Sequence, residues 1–488
     1  MMNKEEEKGE EGEEGEGEGE GEGEGEGEGE GEGEGEGEGE GEGDNSNNDD
    51  DDDDNTPTPP STNEPTTVTD EEIDLDALAV SQGAQTNHSA KLKTGTSPDG
   101  LKVATFRILE NGLAEAALNA LPGETIAIRA NTVKDRDEIR AQLGGGTIEK
   151  LIAKKNNFAI QTGDVAIEFP AESLALAQAA QTFGIPADQV QIELIIKKQP
   201  EAVKKQAESW AAGNGFALIG DPYEFKVALT HNEQSIDLPG YGNRYAMHTI
   251  PLPAELTNHD RLAAVMLLDG EYVPVPLYIN EAGQAIVHTP TNAVVMLVER
   301  SENVLDTGRH WSTQSLISTD VAGTMEKERL VEPDRKLTRA QFAEFAVRSL
   351  GLGHRGVSGP SGFLDLPEDE ASKEAILIAV EAGLFNGMSD TEFSPDTEIT
   401  REQIVKVLLN FMKSFSLASN QIRDQDVPDV FNDSDRTSDW AAQEMDEAYR
   451  IGLIQGYADQ SLAPKQAATL AECATLMQKL LKITALTN

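Results

Sequence analysis

Two arginines and two tryptophans recur at fixed places in the last third of this 488-residue chain. Arg339 and Arg401 each follow a threonine, in Leu337-Thr338-Arg339-Ala340-Gln341 and Ile399-Thr400-Arg401-Glu402-Gln403. Trp311 and Trp440 each stand twelve residues before a glycine, Gly323 and Gly452. A guanidinium can grip a carboxylate through two parallel hydrogen bonds. An indole can cover the apolar face of a sugar while its N–H stays available to pair. In a chain of net charge −50 no general attraction draws an anion in, so an anionic ligand would need such local arginines. Taken singly, Trp440 reads as ordinary core and Arg401 as a helix-surface ion pair. Their repetition is what argues for binding.

The elements that must position them are helices entered by a common motif. Three segments align: Val331-Glu332-Pro333 running to Thr338, Phe393-Ser394-Pro395 running to Thr400, and Leu462-Ala463-Pro464 running to Thr469. Each threonine precedes an apolar run of helical period, and Gln341, Gln403 or Glu472 follows three residues later. That is a capping box, in which the threonine hydroxyl and the later side chain satisfy each other's orphan amides. A second block ends in Gly383-Leu384-Phe385-Asn386-Gly387 or Gly452-Leu453-Ile454-Gln455-Gly456, and glycine there suits the left-handed turn that closes a helix. An aspartate stands ahead of each first helix: Asp306, Asp365 and Asp433. Each copy therefore reads as helix, glycine-ended loop, proline and threonine-capped helix. One such hairpin cannot bury its own apolar face, so three copies should pack as one unit.

At these residues the sequence resembles the S-layer homology family, over about 180 residues and in three copies. The resemblance implies a threefold, all-α helical bundle at the C-terminus. Grooves between its repeats would bind secondary cell-wall polysaccharide, typically with a pyruvylated sugar at its end. Carried over by position, the glycan-binding residues are Trp311, Arg339, Arg401 and Trp440, with Asp306 and Asp433 at the heads of the first and third copies. It further implies non-covalent anchoring at the cell wall, on the outer surface of a Gram-positive bacterium. The copies are uneven. Ala371 stands where the second tryptophan belongs, Leu470 where the third arginine belongs, and Lys327 where the first copy's second turn glycine belongs. Fewer working grooves than repeats are expected.

The rest of the chain bounds the reading without adding chemistry. Residues 1–54 hold 28 Asp and Glu against two Lys, much of it in Gly-Glu alternation from Gly9 to Gly43. Such a stretch buries no apolar surface and is expected to be a disordered acidic N-terminal tail, over 1–72. Almost nothing precedes it, so it reads as a linker within a longer protein. The acidic field disfavours nucleic acid and anionic membranes as partners. Cys473, the single cysteine, rules out an intrachain disulfide. No run is long and apolar enough for a membrane span, and Met1–Glu7 lacks the apolar core of a secretory signal.

Residues 73–300 read as a β-rich (α+β) middle region, divisible near 150–157. Ten strands are expected: 103–108, 125–129, 158–160, 165–169, 190–196, 223–229, 263–268, 273–279, 285–288 and 293–298. Helices are expected at 135–143 and 171–183. Tyr241-Gly242-Asn243-Arg244-Tyr245, Val273-Pro274-Val275-Pro276 and Thr291-Asn292-Ala293-Val294 are similar to a module that often precedes such repeats, which implies a stalk. The seven histidines are scattered, and no phosphate loop or nucleophile elbow is present. The expected organisation is multidomain, with repeats at 301–356 (degenerate), 357–424 and 425–488. The chain is expected to be no enzyme and to need no cofactor or metal. The alternatives are the localising part of a carbohydrate-active enzyme and a decayed remnant that binds nothing.

Overall fold

The structure is a computed structural model that describes residues 67–79, 85–109, 120–129, 133, 135–163, 165–232, 234–256, 258–301, 310–325, 327–353, 362–421 and 431–488. The acidic tail expected at 1–72 lies outside these residues up to position 66, and so does Asp306. The described residues belong to one compact unit that begins at Thr62.

Sixteen strands form one hydrogen-bonded order. One half runs Glu271–Val275, Leu262–Leu268, Ala293–Arg300, Phe216–His231, Gln191–Lys198, Glu138–Gly144, Lys102–Ile108 and Gln85–Thr96. The long Thr67–Ala79 strand then carries the order into Thr125–Arg129, Asn157–Thr162, Val165–Pro170, Ala246–Ile250, Ala285–Thr289 and Leu277–Ile279. Gln234–Asp237 pairs beside Phe216–His231. Phe106, Phe225 and Leu194 from the first half share one buried core with Ile126, Phe158, Ile167 and Val287 from the second. Gln191–Lys198 and Ala246–Ile250 show the alternation of inward and outward side chains that a strand's period of two imposes.

All ten expected strands are present, with the 273–279 stretch divided into Glu271–Val275 and Leu277–Ile279. The helix expected at 135–143 is a strand, Glu138–Gly144, between antiparallel Gln191–Lys198 and parallel Lys102–Ile108. Ile139, Ala141 and Leu143 all face inward, so tertiary pairing wins over helix-forming side chains. The stretch 171–183 is helical only in part, as a turn at Ala171–Ser173 and a helix at Leu176–Phe183 closed by Gly184 at φ +69°.

The separate all-α bundle expected at the C-terminus is not what forms. Helices are there: Thr313–Ala322, Arg339–Ser349, Glu370–Glu381, Arg401–Ser414, Ala442–Arg450 and Leu470–Ile483, with the short Lys327–Leu330. The segments that lead into the capped helices are extended, however. They meet in antiparallel bridges, Lys336 with Thr469, Thr338 with Glu398 and Thr400 with Ala467. The helices are also joined to the sheet. Tyr245 lies in the helical core and donates its hydroxyl to the Leu350 carbonyl at 2.7 Å. Val321 packs with Phe216, Val298 and Ala207, and Arg300 holds the buried Asp320 at 2.7 Å. The chain is β-rich, with its helices laid against that sheet.

Candidate functional site: three repeat junctions closed in a ring

Each capped helix begins as its sequence demands. Thr338, Thr400 and Thr469 are extended, with ψ of 167°, 160° and 162°. Their hydroxyls accept from the amides of Gln341, Gln403 and Glu472 at 3.3, 3.4 and 3.2 Å. Those three side chains accept in turn from the threonine amides at 3.1, 3.1 and 2.8 Å. A cap of this kind leaves the first helical amides without partners, and the next repeat supplies them. Arg339 and Ala340 donate to the carbonyls of Thr397 and Pro395; Arg401 and Glu402 donate to Gln466 and Pro464; Leu470 and Ala471 donate to Arg335 and Pro333. The repeated proline thus lends its carbonyl across the junction, from the second repeat to the first, the third to the second, and the first to the third.

A ring of backbone bonds closes the centre. Leu337 donates to Ala468, Ala468 to Ile399, and Ile399 to Leu337, at 3.2, 2.9 and 2.9 Å. Helix packing follows the same order. Glu370–Glu381 lies on Arg339–Ser349, Ala442–Arg450 on Arg401–Ser414, and Thr313–Ala322 on Leu470–Ile483. Lys413 meets Glu447 at 3.3 Å across the second contact. Gln478 meets Ser318 at 2.6 Å across the third.

The head of one repeat is therefore set against the box of the repeat before it. By repeat position, helix contact in this order matches Arg339 to Ala371, Arg401 to Trp440, and Leu470 to Trp311. Only the second of these position pairs holds both an arginine and a tryptophan. Ser438, two residues before Trp440, donates to Glu402 through its amide at 3.0 Å and its hydroxyl at 2.8 Å, fixing that segment beside Arg401. Trp440 is 50% exposed and Trp311 64%.

The arginines face inward. Arg339 is 4% exposed; its Nε donates to the Phe393 carbonyl at 2.9 Å and its Nη2 to the Asn386 carbonyl at 3.0 Å. Its guanidinium lies 4.6 Å from the Phe393 ring, and burial lowers its pKa against the pull of Asp365. Arg401, 7% exposed, donates to the Leu462 carbonyl at 3.1 Å and to Glu472 Oε1 at 3.2 Å, over the Tyr457 ring at 4.6 Å. The Tyr457 hydroxyl donates to the same carboxylate oxygen. Burial raises the Glu472 pKa, but the bonds from Tyr457 and the Thr469 amide, with Arg401 beside them, hold it below the usual value. Burial and the Glu472 bond push Tyr457 up. Sequence reasoning misses Tyr457 and Glu472 as members of this cluster. The available signal is the position of Tyr457, directly after the second turn glycine.

Asp433 is buried and accepts from the amides of Leu462 and Ala463 at 2.7 and 2.9 Å. Asp365 does the same for Phe393 and Ser394 at 2.8 and 2.7 Å. Ala463 and Ser394 sit at φ +50° and +59°, so both carboxylates brace a left-handed turn just before the proline. The turn glycines are equally constrained. A Cβ at Gly456 would lie 2.2 Å from the Phe431 ring, and one at Gly387 2.4 Å from Phe363. Gly456→Ala is expected to lower stability by about 1–3 kcal/mol through overpacking, read as a drop in the urea midpoint at unchanged slope. In the first repeat, Lys327 at the matching place opens the Lys327–Leu330 helix instead.

Three helix–turn–capped-helix units closed in a ring define an internally repeated module in which neighbouring copies together build each junction. A family model described as the S-layer homology domain matches residues 362–405 and 430–474, so this chain carries S-layer homology domains. Curated relatives agree. The chain is 28% identical over 151 residues to "Exoglucanase XynX" of Acetivibrio thermocellus, covering 31% of this chain and 13% of that protein. It is 32% identical over 149 residues to "Endoglucanase" of Bacillus sp. (strain KSM-635), covering 30% and 15%. It is 30% identical over 124 residues to "Surface-layer 125 kDa protein" of Lysinibacillus sphaericus, covering 25% and 10%. The chain thus spans less than a sixth of the length of these relatives. The S-layer homology domains associate the chain with the cell surface and wall, in a general anchoring role. Among the described residues no helix is long and apolar enough to cross a membrane, and no group of His, Cys, Asp and Glu could hold a metal ion.

Proposed function

We propose that this chain is held on the wall by secondary cell-wall polysaccharide bound at the repeat junctions, chiefly at the junction of the second and third repeats. The observation that supports the reading is the bonding of Ser438, two residues before the exposed Trp440, to Glu402, the neighbour of Arg401. A sugar face lies on the Trp440 indole. Its carboxylate, as a ketal-linked pyruvate would present, approaches the Arg401 guanidinium that Glu472 and Tyr457 hold in place. Trp311, matched by repeat position to Leu470, and Arg339, matched to Ala371, give weaker subsites whose contributions add as avidity on one rigid unit. Asp433 serves by holding the turn that carries the Leu462 carbonyl, an acceptor for Arg401. Asp306 is assigned the matching place in the first repeat by position alone.

The test is co-sedimentation of the full chain with purified Gram-positive walls, before and after removal of pyruvate. Trp440 is already half exposed, so Trp440→Ala should weaken binding by about tenfold, or roughly 1.4 kcal/mol, with the melting temperature kept. Equal binding to stripped walls would remove the pyruvate from the reading. Undiminished binding of Trp440→Ala would move the site elsewhere. A second reading, in which these repeats localise a carbohydrate-active enzyme, is favoured by the names of the relatives. It predicts release of reducing sugar from a polysaccharide by a longer protein that carries these repeats. Such a protein binding walls without hydrolysing any polysaccharide would end that second reading.

A further inference from the structure

The β-rich region holds a cleft of about 390 Å³, lined wholly by residues between Glu224 and Val294. That volume lies within the roughly 300–1,000 Å³ of small-ligand sites. Its floor continues a covered apolar face. Leu267, Val294 and Glu224 stand opposite one another on three adjacent strands. Further along the same strands, Val265 and Met296 share a core with Ala207 and Val321 of the Glu201–Gly213 and Thr313–Ala322 helices. Leu267 and Val294 border that core and are only partly buried.

The wall is fixed to this floor. Gln234–Asp237 and Ala293–Arg300 follow one another along the same edge of Phe216–His231, and Asn292 bridges the gap between them. Its Oδ1 accepts from the Val227 amide and the Tyr241 hydroxyl, both at 2.8 Å, and its Nδ2 donates to the Val227 carbonyl at 3.0 Å and the Leu238 carbonyl at 3.4 Å. A site built in advance spends little on ordering when a ligand arrives. Three carboxylates and one ammonium line the cleft: Glu224, Asp237, Asp269 and Lys226. Lys226 meets Asp237 at 2.8 Å. Glu224 accepts from Gln199 at 3.4 Å, and Lys197, opposite it on the next strand, lies 3.8 Å from Glu138 instead. Asp269, on the exposed turn after Leu268, forms no ion pair among the described residues. Two carboxylates are thus left without a cation beside a partly apolar floor.

We propose that this cleft takes a lysine side chain of a peptide, with the ammonium held by Glu224 and Asp269 and the stem laid on Leu267 and Val294. A lysine stem covers apolar surface while its head keeps to polar groups, and Lys226 on Asp237 shows an ammonium held by a carboxylate within the same cleft. The two free carboxylates come from a strand and a turn, so a compact point charge with three donors suits them better than a planar guanidinium fork. A basic partner is also what a chain of net charge −50 attracts over distance. This site does not rest on the glycan reading.

The experiment follows methyl and amide resonances of the full chain during titration with acetyl-Gly-Lys-Gly-amide, and with the same peptide acetylated on the lysine amine. The lysine peptide should shift the Leu267 and Val294 methyls and the Gly270 amide saturably. Acetylation, which removes the charge, should weaken it about tenfold, the product of about threefold for each of two partly exposed ion pairs. The Glu224→Gln, Asp269→Asn double variant should lose about as much. Asp269 sits at φ +50°, which asparagine tolerates, so Asp269→Asn keeps the turn. If the double variant does not fold, this single variant decides, with an expected loss of about threefold. Trp440→Ala should bind the lysine peptide as the native chain does. Shifts confined to other parts of the chain, equal binding of the two peptides, or Asp269→Asn and the double variant both binding like the native chain would overturn the site. Lysine binding lost in Trp440→Ala would place the peptide at the repeats and overturn it too.

Discussion

Arg401→Met is expected to lower the unfolding free energy by about 3 kcal/mol, the scale for removing one partner of a buried ion pair. Arg401 and Glu472 are both buried, and the Arg401 Nη1 to Glu472 Oε1 distance is 3.2 Å. Methionine fills much of the arginine stem's volume, so the loss is electrostatic more than steric. What remains is a carboxylate taken out of water, facing the Tyr457 hydroxyl, the Thr469 amide and hydroxyl, and the charge of Lys336, with its strongest partner gone. The remedy is written in the other repeats, where glutamine occupies the position of Glu472, as Gln341 and Gln403, and completes the same capping box. Adding Glu472→Gln to Arg401→Met should therefore restore more than half of the loss. Urea unfolding of the four members of this double-mutant cycle measures it. A single variant within 1 kcal/mol of the native chain, or a double variant no better than the single, would refute the account. Because Arg401 carries part of the fold, weaker wall binding by its variants is not by itself a sign of contact with glycan. Trp440 is the cleaner probe.

How much of this was legible in the sequence follows from how local each feature is. The three capping boxes need only four consecutive residues each, and all three form as read. The ring that joins them needs Leu337, Ile399 and Ala468 to bond through their backbones across 62 to 131 residues of chain, and no side-chain pattern records that. The same gap explains the arginines. Spacing puts Arg339 and Arg401 at the first position of a helix, but does not say what lies beneath it, which is the turn of the next repeat with its bare carbonyls. In the sheet, the stretch from Glu138 to Leu143 is rich in side chains that suit a helix. Its alternation of Ile139, Ala141 and Leu143 is the weaker signal until both neighbouring strands are known. The Glu201–Gly213 helix escapes sequence reading because it buries little beyond Ala207 and Ala211, leaving almost no apolar stripe to read. What the sequence does carry is the unevenness of the copies, with Ala371 and Leu470 standing where another copy has tryptophan or arginine.

Acid should destabilise this protein well above the range in which carboxylates titrate. His248 is fully buried, its Nε2 2.7 Å from Thr289 Oγ1 and its ring stacked 4.1 Å from Phe225. His288 lies on the adjacent strand, its ring edge toward Tyr245, which in turn reaches the helical core. The Nδ1 atoms of both are buried and without partners among the described residues. Burial, with His288 nearby, pushes His248 down to about 3, and burial pushes His288 down to about 4. In the unfolded chain both return to about 6.5, so the unfolded state binds more protons throughout the interval between. Stability from this source is complete above about pH 6.5 and is lost as pH falls toward about 4 and then about 3. Two protons taken up on unfolding correspond to a slope of about 2.7 kcal/mol per pH unit, and to a loss on the order of 5 kcal/mol between about pH 7 and pH 4. That is comparable to the whole stability of many domains. Asp221, Asp365 and Glu472, whose pKa values are also held down in the fold, act in the same direction but only at and below their usual range near 4. The interval from about pH 6 to pH 5 therefore isolates the histidines. Urea unfolding across it should show the steep slope in the native chain and a nearly flat one in the His248→Gln, His288→Gln double variant, whatever the variant's absolute stability. A flat profile in the native chain would mean that both rings reach water or a proton acceptor in the folded state, and that the contact between sheet and helices at Tyr245 is looser than its packing implies.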